Sequence, residues 1–72
     1  MREAIGIQRA WAPGTRVRLD ASYLARRHPK VRLPHTGTVE REDRYQPGYF
    51  RVRLDGRKRG TYWPGTALRR EP

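Results

Sequence analysis

The chain has 72 residues, and 17 lysine and arginine residues against seven aspartate and glutamate residues give it a formal net charge of +10. This length suffices for one small domain, and with 35% hydrophobic residues we expect a thin core. The chain has no cysteine, which excludes disulfides and thiolate zinc sites within it. No stretch has the pattern of a membrane span or a signal peptide, so we expect a cytoplasmic protein without a membrane partner.

The basic residues are strongly biased towards arginine, since only Lys30 and Lys58 are lysines. Arginine makes bidentate contacts with phosphate and carboxylate groups and stacks on aromatic rings. The bias therefore favours recognition of an anionic partner. The only histidines, His28 and His35, stand seven positions apart without a cluster of carboxylates, and we expect neither a metal site nor a cofactor.

The first strand is predicted to follow an N-terminal arm formed by residues 1–12. Within this arm, Trp11 is expected to pack as a lid on the core rather than to bind a partner. A Pro-Gly turn comes next, and residues 15–20 then alternate between apolar and polar side chains. The apolar residues of this strand face inward, and Arg16 and Arg18 face outward.

A long basic loop is predicted over residues 20–34. Asp20 or Ser22 is suited to cap a short helical turn over residues 21–27, which ends before Pro29 because the residue preceding proline disfavours the helical conformation. The rest of the loop is expected to be extended. About fourteen residues is long for a loop in so small a domain, and long ordered loops are often functional. The densest basic cluster of the chain lies here and consists of Arg26, Arg27, His28, Lys30 and Arg32.

The second strand is predicted over residues 35–42, and Gly37 within it indicates a bend or a bulge. The nearby carboxylates, which are Glu40, Glu42 and Asp43, are expected to face outward and to pair with arginines across the sheet. Residues 48–56 alternate most cleanly and are predicted to form the central strand. Its inward residues are Phe50, Val52 and Leu54, and its outward residues are Tyr49, Arg51, Arg53 and Asp55.

A wide loop is predicted after the central strand. A tight turn at Asp55 and Gly56 would place arginines of the next strand on the core face, and burying unpaired charge costs more than a wider loop does. The loop is therefore expected to span residues 55–60. The cationic side chains at its exposed tip are those of Arg57, Lys58 and Arg59.

The fourth strand is expected to begin at Thr61, with Thr61 opposite Leu54 and Trp63 opposite Val52. Residues 64–68 are typical of a 3₁₀ turn whose last residue, a leucine, inserts into the end of the core. The two arginines that follow are expected to form a short last strand or a tail.

Three of these segments resemble the motifs of SH3-like barrels. Residues 13–19, Pro-Gly-Thr-Arg-Val-Arg-Leu, resemble the opening strand, and residues 36–39, Thr-Gly-Thr-Val, resemble the second strand. Residues 62–68 resemble the closing 3₁₀ turn with its anchoring leucine. The resemblance covers residues 13–70, leaves a tail at 71–72, and extends to KOW-type barrels and to small basic phage and bacterial proteins. It implies an all-β fold, a small five-stranded SH3-like barrel with a long basic first loop and a 3₁₀ turn before the last strand.

The first functional hypothesis is binding of nucleic acid, DNA or RNA, by phosphate contacts and aromatic stacking. Basic residues interleaved with tyrosines provide both kinds of contact. No feature points to reading of base edges, so we expect binding that depends strongly on salt. The candidate residues are Arg16, Arg18, Arg26, Arg27, Lys30, Arg32, Tyr49, Arg51, Arg53, Arg57, Lys58, Arg59 and Tyr62.

Two alternatives come from other functional classes. The first is a protein-interaction module, such as a phage-type regulator that binds an acidic surface of a host enzyme, because aromatic residues are numerous for the length. The second is an enzyme, because the chain resembles in outline the plasmid-borne, trimethoprim-insensitive dihydrofolate reductases. The Val-Gln-Ile-Tyr stretch of that family is replaced here by Gly-Thr-Tyr-Trp at residues 60–63. Since no nucleophile triad, carboxylate pair or phosphate-cradling glycine loop is recognisable, we expect neither an enzyme nor a small-molecule substrate.

Overall fold

Five short strands, one helix and one 3₁₀ turn form the regular structure of residues 11–30, 32 and 34–71, which are the residues that the computed structural model describes. The elements in chain order are β1 (Arg16–Leu19), α1 (Ala21–Arg27), β2 (Thr36–Glu42), β3 (Tyr49–Leu54), β4 (Thr61–Pro64), the 3₁₀ turn (Gly65–Ala67) and β5 (Leu68–Arg70). The predictions for residues 1–10 and for the extended segment at Val31 and Leu33 lie outside the described residues.

The strands form one antiparallel sheet in the order β4-β3-β2-β1-β5. Consecutive strands pair from β1 to β4, and β5 returns to pair with the free side of β1. Among the strands described, β4 and β5 are not paired with each other, so the hydrogen-bonded sheet is open. The prediction of a small, mostly β fold with five strands and a 3₁₀ turn before the last strand is confirmed, and closure into a barrel stays a prediction.

The core lies on one face of this sheet and follows the predicted alternation. Its buried apolar residues are Trp11, Val17, Leu19, Val39, Phe50, Val52, Leu54, Trp63, Ala67 and Leu68. Trp11 packs in the core as predicted, and its indole Nε1 donates a hydrogen bond to the carbonyl oxygen of Gly65 at 3.0 Å. A buried indole N–H needs such a partner, and this one ties the segment before β1 to the 3₁₀ turn. Leu68 is fully buried, as expected of the residue that closes the turn.

Helix α1 forms where the basic loop was predicted to contain a helical turn. Asp20 is its N-cap, because a side-chain oxygen of Asp20 accepts a hydrogen bond from the backbone N–H of Tyr23 at 3.0 Å. The helix ends at Arg27, and its C-cap is His28, which directly precedes a proline. Tyr23 and Leu24 are partly buried against the core, and this packing holds the helix on the sheet.

The irregularity of β2 lies beyond the position where the sequence predicted it. Gly37 pairs in register with both Val17 and Leu54, whereas the register with β3 shifts between Val39 and Arg41. A bulge adds one residue to one strand and reverses which face the following side chains occupy. The shift therefore moves the last residues of β2 out of the core pattern, and all of them are exposed.

The hairpin between β3 and β4 keeps the predicted loop over residues 55–60 but not the predicted register. Thr61 pairs with Val52 and Trp63 pairs with Phe50, so β4 is displaced by two residues. The carbonyl of Leu54 accepts a hydrogen bond from the backbone N–H of Arg57 at 3.0 Å, which closes a turn and removes that oxygen from the ladder with β4. A shift of two residues preserves the face, so the tryptophan still points into the core.

Candidate nucleic-acid interface

The face of the sheet opposite the core carries the predicted outward arginines. Arg16, Arg18 and Arg53 are exposed, and Arg51 is half-buried. Tyr62 pairs with Arg51 across β3 and β4 and is 43% exposed. The strand pairing thus brings together the candidates from β1, β3 and β4 on one surface.

Carboxylates of the protein already form ion pairs with several of these arginines. Asp55 accepts two hydrogen bonds from the guanidinium of Arg16, from Nη1 at 2.7 Å and from Nη2 at 2.8 Å, and a third from the hydroxyl of Thr36. Glu71 accepts a further bond from Arg16 Nε at 2.9 Å. The hydrogen bonds from Arg16, then those from Thr36, hold the pKa of Asp55 well below its usual range, and the two carboxylates raise the pKa of Arg16. This network ties β1 to the β3–β4 loop and to the residue after β5.

We expect the Asp55→Asn variant to be less stable than the wild-type protein at neutral pH, by a margin that shrinks as the pH falls below about 4. Because the pKa of Asp55 is lower in the folded state, its stabilisation is complete above the unfolded pKa of about 4 and is lost as the pH falls towards the folded pKa. Thermal unfolding of both proteins between about pH 7 and about pH 2 measures the difference.

The partner side chain provides the control for this prediction. Arg16→Gln should lose stability over the same pH range, and adding Asp55→Asn to it should cost less than Asp55→Asn does alone, because both substitutions remove the pair between Arg16 and Asp55. A difference between Asp55→Asn and the wild-type protein that persists unchanged to the lowest pH would contradict the assignment.

Another carboxylate, that of Glu40, pairs with arginines in the middle of the sheet. Its Oε1 lies 2.8 Å from Arg51 Nε, and its Oε2 lies 3.8 Å from Arg53 Nε. The Nε–H of Arg51 makes no directed hydrogen bond within the described residues, so the contact is an ion pair only. Beside it, Arg41 Nη2 donates to the hydroxyl of Tyr62 at 3.2 Å. The prediction that Glu40 pairs with arginines across the sheet is confirmed.

The other two carboxylates predicted to pair with arginines instead bind backbone groups. Glu42 accepts a hydrogen bond from the N–H of Gly48 at 3.2 Å, and Asp43 accepts one from the N–H of Tyr45 at 3.0 Å. These bonds order the turn between β2 and β3. No arginine lies within ion-pair distance of either carboxylate in the part of the chain that the structure describes.

The side of the molecule that carries α1 has a different balance of charge. The sequence contains no aspartate or glutamate between Asp20 and Glu40, whereas four lysine or arginine residues lie in that interval. Arg26 and Arg27, in the last turn of α1, are exposed, and so are Lys30 and Arg32. The positive charge of this segment therefore has no acidic residue of its own to offset it.

A groove of about 450 Å³, here called the helix groove, lies between α1 and the 3₁₀ turn. Of the predicted site residues, it contains Arg26, Arg27 and Tyr49. Tyr23 and Arg69, which were not among those candidates, also line it. The complete lining consists of Asp20, Tyr23, Arg26, Arg27, Tyr49, Pro64, Thr66, Ala67 and Arg69. Three guanidinium groups and two phenol rings thus surround one concave surface.

Arg69 is the most firmly held of the three groove arginines. Its Nη1 donates to the carbonyl oxygens of Thr66 at 2.8 Å and Leu68 at 3.0 Å. Its Nη2 lies 3.6 Å from an Asp20 carboxylate oxygen, which is a loose ion pair. Arg69 was not among the residues predicted for the site, although its place next to the apolar Leu68 indicated a side chain that points away from the core. Outward placement in β5 could have been inferred once β5 was paired with β1.

A second concavity of about 380 Å³, here called the strand hollow, adjoins the helix groove. It is lined by Arg18, Leu19, Asp20, Ala21, His35 and Arg69. Arg18 was a predicted site residue, whereas His35 was not assigned to the site. The remaining candidates, namely Lys30, Arg32, Arg57, Lys58 and Arg59, are exposed but line neither concavity.

Comparison with known proteins supplies no relative from which a function could be transferred. No protein-family model, curated protein or solved structure matches this chain. Within residues 11–30, 32 and 34–71, no helix is long and apolar enough to cross a membrane, and no three potential metal ligands cluster together. The function must therefore be argued from the geometry itself.

Proposed function

We propose that this protein binds nucleic acid through backbone phosphates held in the helix groove. The observation that carries the proposal is the sorting of charge between the two sides of the molecule. Arg16 and Arg51 are closely engaged by carboxylates on the sheet, whereas Arg26 and Arg27 line a concave surface next to Arg69, whose ion pair with Asp20 is loose. Bidentate guanidinium groups are well matched to phosphate oxygens.

Two physical features favour a nucleic acid over a simple inorganic anion. A polyanion that contacts several arginines releases condensed counterions, which is the main source of affinity in non-specific binding. The groove also contains Tyr23 and Tyr49, and phenol rings next to arginines can contact bases as well as phosphates. The proposal assigns a binding role without catalysis, a cofactor or a small-molecule substrate.

The architecture that we propose is an SH3-like barrel, formed if the open sheet curls until its edge strands approach each other. The strand order and the 3₁₀ turn between β4 and β5 support this. So does the pairing of β5 with β1, because it places the last strand beside the first.

An acidic protein surface is the second candidate ligand. It is favoured by Tyr62, 43% exposed, and by Tyr45, 86% exposed, which lie outside the helix groove. Exposed tyrosines are typical anchors of protein interfaces. A regulator of this type would use the aromatic residues for contact and the arginines to steer the encounter.

We expect the double variant Arg26→Gln/Arg27→Gln to bind a single-stranded oligonucleotide about twentyfold more weakly than the wild-type protein at about 0.1 M salt, with a salt slope lower by between one and two. Glutamine has nearly the helix propensity of arginine, so α1 should persist, as circular dichroism can verify. Fluorescence anisotropy between about 50 and about 200 mM salt measures both quantities.

The matched control is Arg57→Gln/Lys58→Gln, which removes the same charge from the exposed loop tip. It should cost clearly less, because the tip lies outside the groove. An equal loss in both double variants would show that only net charge matters and would reject the groove. Wild-type binding that appears only at low salt, together with tight binding of a polyglutamate chain at physiological salt, would reject nucleic acid in favour of an acidic protein partner.

A further inference from the structure

Two arginines that face each other across neighbouring strands mark the strand hollow. Arg18 of β1 and Arg69 of β5 are direct cross-strand partners, and both line the hollow. Like charges placed opposite each other destabilise a sheet. Among the described residues that line the hollow, the one carboxylate is that of Asp20, and it lies 3.6 Å from Arg69 Nη2. This arrangement becomes favourable when an anion lies between the two guanidinium groups.

The strand hollow and the helix groove are not separate sites. Asp20 and Arg69 line both of them, so the two concavities meet at this pair. Arg69 is fixed by the carbonyls of Thr66 and Leu68, and a cation that is already ordered loses little conformational entropy when it binds. A ligand that contacts Arg69 can therefore extend in both directions.

We propose that the helix groove and the strand hollow form one continuous track for a single strand of nucleic acid, with Arg69 at its centre. The inference rests on the proposed function and adds the class of nucleic acid and its path. Successive phosphates contact Arg26 and Arg27 on one side of Arg69, and Arg18 on the other. Asp20 lies between them and is the carboxylate, among the described lining residues, that opposes the strand.

The single-stranded form follows from the shape and chemistry of the lining. Tyr23 and Tyr49 are partly buried residues of the groove lining, and an unstacked base can stack on such aromatic side chains. Duplex bases remain stacked on one another and offer no free face to an aromatic side chain. Arg69 lines both concavities, whereas a duplex presents its phosphates on a convex surface.

The first test compares Arg18→Gln with Arg44→Gln, which removes an exposed arginine that lines neither concavity. The probe is a labelled strand of about 12 nucleotides, free or annealed to its complement, at about 0.1 M salt. The wild-type protein should prefer the free strand. Arg18→Gln should weaken binding of that strand about fivefold, since one phosphate contact contributes about 0.7 to the salt slope of single strands. Arg44→Gln should cost less than half as much.

The stability of the unliganded protein provides a second readout, and it is expected to change in the opposite direction to the affinity. Removing Arg18 relieves the repulsion with Arg69, so Arg18→Gln should raise the melting temperature at low salt by about 1 to 4 °C while it weakens binding. A purely structural role for Arg18 predicts that stability and affinity fall together, and that result would overturn the proposal.

Asp20→Asn tests whether the strand passes through the point where the helix groove and the strand hollow meet. Asparagine caps a helix as well as aspartate does, so α1 should be retained while the opposing charge is removed. We expect the free strand to bind about threefold more tightly. The control is Asp43→Asn, which removes an equal charge from a side chain that also accepts a backbone N–H but lies outside both concavities.

The outcomes separate this inference from the proposed function. If the duplex binds as tightly as the free strand, or if Arg18→Gln and Asp20→Asn behave like their controls, the track is wrong. The groove proposal survives that result if Arg26→Gln/Arg27→Gln still loses affinity. If the wild-type protein binds neither form at physiological salt, both proposals fail.

Discussion

Replacing Gly37 with alanine is expected to remove a large part of the free energy of unfolding of this protein. A Cβ atom at this position would lie 2.6 Å from the carbonyl oxygen of Arg53, 2.9 Å from the Cα of Leu54 and 3.0 Å from a methyl group of Val52. Two of these atoms belong to the backbone of β3, so β2 and β3 would have to separate. Because Gly37 lies in the middle of the sheet and is buried, the sheet cannot accommodate the change by local bending.

The expected cost of Gly37→Ala is about 3 kcal/mol, at the upper end of the usual range for overpacking. A domain of this size has a total stability of about 4 to 11 kcal/mol. The melting temperature should therefore fall by about 12 to 24 °C, as measured by tryptophan fluorescence or calorimetry.

Gly60→Ala is the matched control, because the same methyl group meets side chains there instead of backbone. Its Cβ would lie 2.5 Å from Glu40 Oε1 and 2.6 Å from Arg51 Cγ, and both side chains can rotate away. The ion pair between them would be lost, and for this half-exposed pair we expect a cost of about 1 kcal/mol. If Gly60→Ala proves as damaging as Gly37→Ala, the close approach of β2 and β3 is not the reason.

Replacing Trp63 with alanine is the second large effect that we expect, because this side chain links the core to the helix. Trp63 is buried, and its ring lies 6.2 Å from the ring of Tyr23 and 5.6 Å from that of His28, both in edge-on arrangements. Truncation of a buried tryptophan costs about 3 to 5 kcal/mol. Here it also removes the surface against which α1 packs, so Arg26 and Arg27 should no longer be held in the helix groove.

Hydrogen exchange of the helix amides separates this local effect from general destabilisation. The N–H groups of Leu24 and His28 are bonded to the carbonyls of Asp20 and Leu24, and both should exchange far faster in a Trp63 variant. Trp63→Phe, which keeps part of the ring, should remain folded and still show this acceleration together with weaker oligonucleotide binding.

Trp11 provides the comparison for the Trp63 experiment. It is equally well buried but makes its hydrogen bond to Gly65, on the 3₁₀ turn, and Arg70 lies over its ring. Trp11→Phe should lower the global stability without a selective effect on the amides of α1. If the two phenylalanine variants release the helix to the same extent, Trp63 is not its specific support.

Local patterns predicted the elements of this fold well, because local residues cause them. Alternation of apolar and polar side chains over residues 15–20 and 48–56 defined β1 and β3. The carboxylate of Asp20 and the proline after His28 bounded α1. These signals act within a few residues and need no knowledge of the tertiary structure.

What the sequence could not predict depends on contacts between distant parts of the chain. The register of β4 and the bulge after Val39 are set by packing of β2, β3 and β4 together. Arg69 reaches the groove because β5 pairs with β1, which is far away in sequence. Arg16 is neutralised by Asp55, 39 positions away, and by Glu71, 55 positions away. The composition of the groove could therefore not be read from the cationic residues alone.

The two outer strands of the open sheet have a consequence for behaviour at high concentration. Unpaired strand edges are templates for association with other chains, and short edges with charges or proline resist it. Here β4 has four residues and ends in proline, and β5 has three residues, two of them arginines. Among the strands that the structure describes, both edges of the sheet are therefore of the kind that resists edge-to-edge aggregation.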